Sequence, residues 1–143
     1  MSAPDAPLVT VPDELRGIDV DFGTVTVTAE TIAAYVDAVG APPSINGEAP
    51  GTFCVTLRRG MTPPVPVPAN AFTVYGGHDL HFFAAIRAGQ TYRITARITD
   101  AFEKSGRSGR FAVIMREANI ATTDGRPVAR IIERQIVRPR PVH

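Results

Sequence analysis

The stretch "TYRITARIT", residues 91–99, decides the fold, because its side chains sort into two alternating sets. Tyr92, Ile94, Ala96 and Ile98 fall on one side of an extended chain, and Thr91, Arg93, Thr95, Arg97 and Thr99 on the other. A period of two with one apolar and one polar face predicts a strand of a half-buried antiparallel sheet. Downstream, "RFAVIMREANIAT" (110–122) and "PVARIIERQIV" (127–137) read as two more strands. The segments "EKSGRSG" and "TDGR" between them supply the glycines that tight hairpins need. On the N-terminal side, "AFTVYGG" (71–77) and "LHFFAAI" (80–86) read as two short strands.

Before these lies "MTPPVPVP" (61–68), where four prolines in eight residues remove backbone donors and forbid both helix and central strand. It reads as an irregular crossing or an edge. Earlier still, "VDFGTVTV" (20–27) alternates and predicts a first strand. Thr28 then caps a helix whose Ile32, Tyr35, Val36 and Val39 form one apolar stripe, ended by Gly40 and Pro42. A shorter helical piece after Pro50 places Phe53 and Leu57 one turn apart. One strand, one or two helices and a long meander make an α+β domain, in which the helix must cover the apolar face of the sheet.

At 143 residues, 44% hydrophobic and 20% charged, the chain fits one compact domain. Its folded part is expected over residues 15–138, with 1–14 and 139–143 as flexible, proline-rich ends. The start "MSAPDAPLVTVPDEL" has neither a basic opening nor an apolar core, so no export signal is read. A single cysteine, Cys54, cannot form an internal disulfide, and no apolar run approaches a membrane span. The expectation is a cytoplasmic protein that stays off the membrane. The net charge of +1 conceals an asymmetry: residues 1–50 hold eight acids and one base, residues 51–143 six acids and fourteen bases. Thirteen of those bases are arginine, the side chain suited to fixed phosphate or carboxylate geometry, although the same residues serve equally as a solvated sheet face. Neither an aromatic-interleaved strand nor a recognition helix accompanies them, so no nucleic-acid partner is expected.

The order of helix, proline-rich crossing and "VYGGHDLHFFAAIRAGQTYRITARITDAFEKSGRSGRFAVIMREANIATTDGRPVAR" (74–130) resembles the MaoC-like acyl dehydratases and hydratases, in particular their N-terminal, fatty-acid-synthase-type dehydratase domain. The resemblance runs from about residue 20 to 138 and is most specific in "IRAGQTYRITARITDAFEKSGRSG" and "TTDGRPVAR". It implies a single hot-dog fold, an antiparallel sheet wrapped around a central helix, that works in pairs.

What it implies for chemistry turns on "YVDAVGAPPSIN" (35–46). The family's hydratase motif is an aromatic residue followed by Gly-Asp-x-Asn-Pro-x-His on the loop after the first helix. Tyr35 and Gly40 match; Ala41 stands where the acid is expected, Pro43 and Ser44 replace the Asn-Pro pair, and Asn46 occupies the histidine position. Hydration of a 2-enoyl thioester needs a base for water, a proton for the α-carbon and donors for the enolate oxygen. Alanine and asparagine carry no proton near neutral pH. The resemblance therefore implies a subunit of an (R)-specific 2-enoyl-CoA hydratase or 3-hydroxyacyl-thioester dehydratase that is itself non-catalytic. It would pair with a catalytic MaoC-like chain and bind an acyl-CoA or acyl-carrier thioester, with no cofactor.

Two alternatives stay open. Asp79 and His81 are two apart, hence on one face of a regular strand, and would serve as an acid–base pair in a self-dimer, or simply lie at a sheet edge. A non-enzymatic module that only binds an acyl thioester is the other. Lys104, Arg107 and Arg110 gather around two glycines and are the candidate phosphate grip for the thioester's carrier, or a plain polar hairpin tip. "MTPPVPVPANAF" would line an acyl tunnel or merely cross the sheet. His78, His81 and Asp79 make a poor metal set, His143 stands alone at the tail, and Cys54 reads as a small buried residue.

Overall fold

The structure, a computed structural model, describes residues 7–43, 45–57 and 63–141. Ser44, Met61, Thr62 and His143, which enter the sequence reading, lie outside the described residues. Strand β1 (Val20–Thr26) leads into helix α1 (Ala29–Val39) and a 3₁₀ helix over Gly51–Leu57. The chain continues through β2 (Ala71–Phe82), β3 (Thr91–Gly106), β4 (Gly109–Thr122) and β5 (Pro127–Pro139). The strands form one antiparallel sheet in the order β1-β3-β4-β5-β2.

Local chemistry sets the helix as expected. The Thr28 hydroxyl accepts from the Thr31 N–H, the Thr31 hydroxyl answers toward the cap, and Gly40 closes the last turn at φ 71°. Ile32 and Val36 then bury against Tyr92, Ile94 and Ala96 of β3, Ala118 and Ile120 of β4, and Ile131 of β5. The sheet wraps around α1, the hot-dog arrangement.

Two features differ from expectation. The segments 71–77 and 80–86 are not two strands: β2 runs through the first and ends at Phe82 inside the second, residues 83–86 lying outside it, and it absorbs an irregularity at Gly76-Gly77, where the register to β5 shifts between Tyr75 and His78. A side chain at Gly76 would begin 3.1 Å from the Arg134 carbonyl oxygen and from Ile136, and Gly77 sits at φ 91°, so glycine is what lets the strand continue. The packed chain also begins before residue 15, because Leu8 and Val11 are buried with Val65, Ile98, Ile114 and Val137 in a second apolar cluster. Length explains this: eleven helical residues cover about 16 Å. The sixteen residues of β3 span about 50 Å. The part of the inner face beyond α1 needs another cover, which the N-terminal segment and the proline-rich crossing provide.

Candidate functional site

Beyond α1, Gly40 donates to the Asp37 and Val36 carbonyls and Ala41 to Val36 (3.0 Å), so the loop leaves the helix in a fixed direction. Asn46 is the only non-glycine residue at positive φ (58°) among the described residues. Asparagine tolerates that region better than most side chains. The loop is then tied to the segment entering β3. Ala49 donates to the Ile86 carbonyl (2.7 Å) and Ala88 to the Gly47 carbonyl (2.8 Å). The Arg87 guanidinium reaches Glu48 Oε1 (2.7 Å) and the Asn46 carbonyl oxygen (3.4 Å). The end of the loop, from Asn46 to Ala49, is thus anchored to the segment that enters β3.

Between this loop and α1 lies a groove of about 580 Å³ lined by Ala29, Ala33, Val36, Asp37, Ala41 and Ala88 among others. Its walls are mostly methyl groups and backbone. Such a surface accommodates a hydrocarbon chain and offers, in the Asp37 carboxylate, one charged lining group.

Asp79 and His81 stand elsewhere. Leu80 pairs with buried Ile131 and faces the core, so Asp79 (opposite Ile132) and His81 (opposite Arg130) project from the outer face of the sheet, away from α1. Asp79 Oδ2 accepts from Arg134 Nη1 at 2.9 Å. That hydrogen bond and the guanidinium charge hold the carboxyl below its ordinary range, which weakens it as a base. The irregularity at Gly76-Gly77 sends His78 to the other face, in register with buried Glu133, where its Nδ1 meets the Tyr75 hydroxyl.

The three basic candidates sit on the β3–β4 hairpin. Arg110 lies 3.7 Å from Glu103, Lys104 Nζ 5.5 Å from the Phe102 ring, and Arg138 joins them by donating to Ser108 Oγ (2.8 Å) over the Phe111 ring. Ala88 and the groove are at the opposite end of β3. Lys104, Arg107 and Arg110 therefore do not line the groove of their own chain.

The model of the FAS1-like dehydratase domain region matches residues 14–131. The chain belongs to that family. Its fold superimposes on the MaoC-like dehydratase from Rhodospirillum rubrum with TM-score 0.62 at 18% identity, covering 89% of this chain and 94% of the other. The C-terminally truncated HadBC (3R-hydroxyacyl-ACP dehydratase) complex from Mycobacterium tuberculosis gives 0.66 at 14% identity, covering 85% and 96%. The ChsH1-ChsH2 complex from the same organism gives 0.65 at 15% identity, covering 88% and 85%. No curated protein matches the sequence.

Within this FAS1-like dehydratase domain, one polar group escaped the sequence reading. Arg116, Glu133 and Gln135 are all buried on the inner face, between the two apolar clusters. Arg116 donates to the Pro63 carbonyl (2.7 Å) and to Gln135 Oε1 (2.6 Å), and Glu133 is its cross-strand partner in register. The signal was available: each interrupts an apolar alternation, Ala112-Ile114-Arg116-Ala118-Ile120 on β4 and Ile131-Glu133-Gln135-Val137 on β5.

Cys54 is fully buried, and desolvation pushes its thiol up to about 11. At neutral pH it carries almost no thiolate. Iodoacetamide at pH 7.5 is therefore expected to leave the folded chain unmodified over hours and to label it within minutes in denaturant. Labelling of the folded chain at the rate of a free thiol would contradict this burial.

Proposed function

We propose that this chain is a hot-dog subunit of an (R)-specific 2-enoyl-CoA hydratase or 3-hydroxyacyl-thioester dehydratase, itself without the acid–base pair and completed by a catalytic hot-dog chain. The observation that carries this reading is the anchored loop with Ala41 and Asn46 at the two proton-handling positions. The scaffold around the chemistry is kept while the chemistry is gone. The apolar groove beside Ala41 supports an acyl group as the bound part of the substrate. That related folds include the named complexes ChsH1-ChsH2 and HadBC is consistent with a two-chain enzyme.

The surface for the partner is the free edge of β2. Val74, Tyr75, Phe82 and Phe83 expose 42–52% of their area along or just beyond this strand. A twelve-residue edge with apolar side chains is what another strand pairs with. A cytoplasmic setting fits a lone buried thiol, and no helix among the described residues is long and apolar enough to cross a membrane.

The test is hydration of crotonyl-CoA by the purified chain, alone and mixed with a catalytic MaoC-like hot-dog chain from the same source. Activity only in the mixture supports the reading; turnover by the chain alone overturns it. In that second case His81→Gln is the next variant, since loss of turnover would assign the chemistry to Asp79 and His81 in a self-dimer. Binding of acyl-CoA by both preparations with turnover in neither would favour the non-enzymatic module. Restoring the motif in the chain by Ala41→Asp with Asn46→His is expected to yield less than about 1% of the mixed enzyme's rate. Ala41 packs among apolar neighbours, where a new carboxylate is poorly placed. A rate near the mixed enzyme's would show that the groove retains catalytic geometry.

A further inference from the structure

We infer that the outer face of the sheet, at its hairpin end, is a contact between two copies of this chain, separate from the β2 edge. An apolar strip four strands wide meets the same strip of the second copy, and Lys104 of each copy meets Asp100 of the other.

Strand register builds the strip. On the inner face Ile98, Ala112, Ile114 and Val137 are buried in the second apolar cluster. Their alternating neighbours point to the opposite side, where Val74, Ile136, Val113 and Phe102 stand side by side across β2, β5, β4 and β3. Elsewhere on this face charges dominate and are matched: Arg93 with Asp21, Arg97 with Glu117 and Asp19, Arg130 with Glu117, and Arg134 with Asp79. The strip carries none. Val113 is only 7% exposed although it lies on the outer face, and Val74, at 42%, forms the open end. An uncharged row across four strands of an otherwise charge-matched face marks a surface that another molecule covers.

The rows on either side of the strip differ in charge. On the hairpin side Lys104 pairs with Phe111, and the Arg138 guanidinium lies 5.1 Å from the Phe111 ring. On the other side Asp100 pairs with Met115, and Met115 with Arg134. Lys104 and Asp100 are four residues apart on one strand, about 13 Å, too far to pair within one chain. Among the described residues neither forms an ion pair: Lys104 Nζ lies 5.5 Å from the Phe102 ring, and Asp100 Oδ1 accepts from the Ala101 N–H at 2.9 Å.

A second copy is the occupant that this arrangement fits. Turning one copy by a half-turn about an axis along the strip sets each flanking row against the opposite flanking row of the other. Strip then meets strip, Phe111 meets Met115, and Lys104 meets Asp100, twice over by symmetry. Packed sheets lie within about 30° of alignment, an offset that a lysine side chain can follow. Arg138 falls opposite Arg134, whose charge Asp79 already balances at 2.9 Å. An acidic partner would suit Lys104 and Arg138 but would be repelled by Asp100. Four strands about 4.8 Å apart and three rows about 7 Å apart make a footprint of roughly 400 Å² per copy. That is about half of what a stable complex buries per partner, so the contact is reversible. It lies across the sheet rather than along it, so it can form together with pairing at the β2 edge.

The experiment is sedimentation of the purified chain over about 1–500 µM, as wild type and as Phe102→Glu, Lys104→Asp, Asp100→Lys and the swap that combines the two charge reversals. Wild type is expected to double its dilute mass with a Kd of about 10–100 µM. Phe102→Glu and each single reversal should weaken that step about tenfold or more, and the swap should return it to within about threefold of wild type. No doubling in the wild type, unchanged association in Phe102→Glu, or no recovery in the swap overturns the inference. Should Phe102→Glu fail to fold, the swap still decides, because Lys104 and Asp100 are both exposed and charge rescue requires that they meet. Hydration by Phe102→Glu mixed with the catalytic chain should match wild type, since β3 stands three strands from the β2 edge. The association is read on this chain alone, so failure of the proposed function would leave it untouched.

Discussion

Arg116→Ala is expected to destabilise the domain by about 3–5 kcal/mol, the range seen when one member of a buried charged group is removed. The side chain is 3% exposed and holds two partners that have no water to turn to, the Pro63 carbonyl at 2.7 Å and Gln135 Oε1 at 2.6 Å. Removing the guanidinium also takes a positive charge from across the strand at Glu133, itself 2% exposed. The loss reaches beyond the local pair, because Pro63 belongs to the crossing that covers the second apolar cluster, where Val65 packs with Ile98, Ile114 and Val137. Urea unfolding measures it, and the midpoint temperature should fall by about 10 °C or more. Arg130→Ala is the comparison: its bridge to Glu117 is 3.1 Å long but partly exposed, and its loss should cost less than about 1 kcal/mol. If Arg116→Ala proves equally mild, the buried polar group is not what fastens the crossing to the sheet.

The second large effect concerns assembly. Val74→Asp combined with Phe83→Asp puts carboxylates in place of two of the exposed apolar side chains along or just beyond the β2 edge, which also carries His78, Asp79 and His81. Interface anchors of this kind contribute about 2 kcal/mol each or more. The affinity for the partner should therefore fall at least about a hundredfold, and hydration by the mixed enzyme should fall with it at limiting concentration. Both side chains are about half exposed in the single chain, at 42% and 52%, so its own urea midpoint should hardly move. Sedimentation of the mixture and unfolding of the single chain distinguish the two effects. Undiminished association would place the interface elsewhere; a collapsed midpoint would show that the edge residues support the fold itself.

Much of this molecule was legible as local pattern. The alternation in Thr91–Thr99, the helix with its Thr28 and Gly40 ends, and the glycine hairpins each depend on neighbours a few residues apart, and each appears where the sequence placed it, although of the stripe Ile32-Tyr35-Val36-Val39 only Ile32 and Val36 are buried and Val39 is exposed. That Ala41 and Asn46, neither of which carries a proton near neutral pH, stand on the loop after α1 was legible too, as a matter of residue identity. Less visible was the continuity of β2: the Gly76-Gly77 pair reads as a break, but ladder pairing to β5 on both sides holds the strand together.

The sequence by itself determined which segments extend and which one coils, because those properties reside in side-chain type and short-range spacing. Only the tertiary structure decided that residues 8–11 belong to the core, that Asp79 is spent on Arg134, and that the basic hairpin stands far from its own groove. The physical reason is common to all three. Cover for an apolar face, capture of a carboxylate and the distance between two sites are set by strand order and register, and those follow from pairing between segments tens of residues apart.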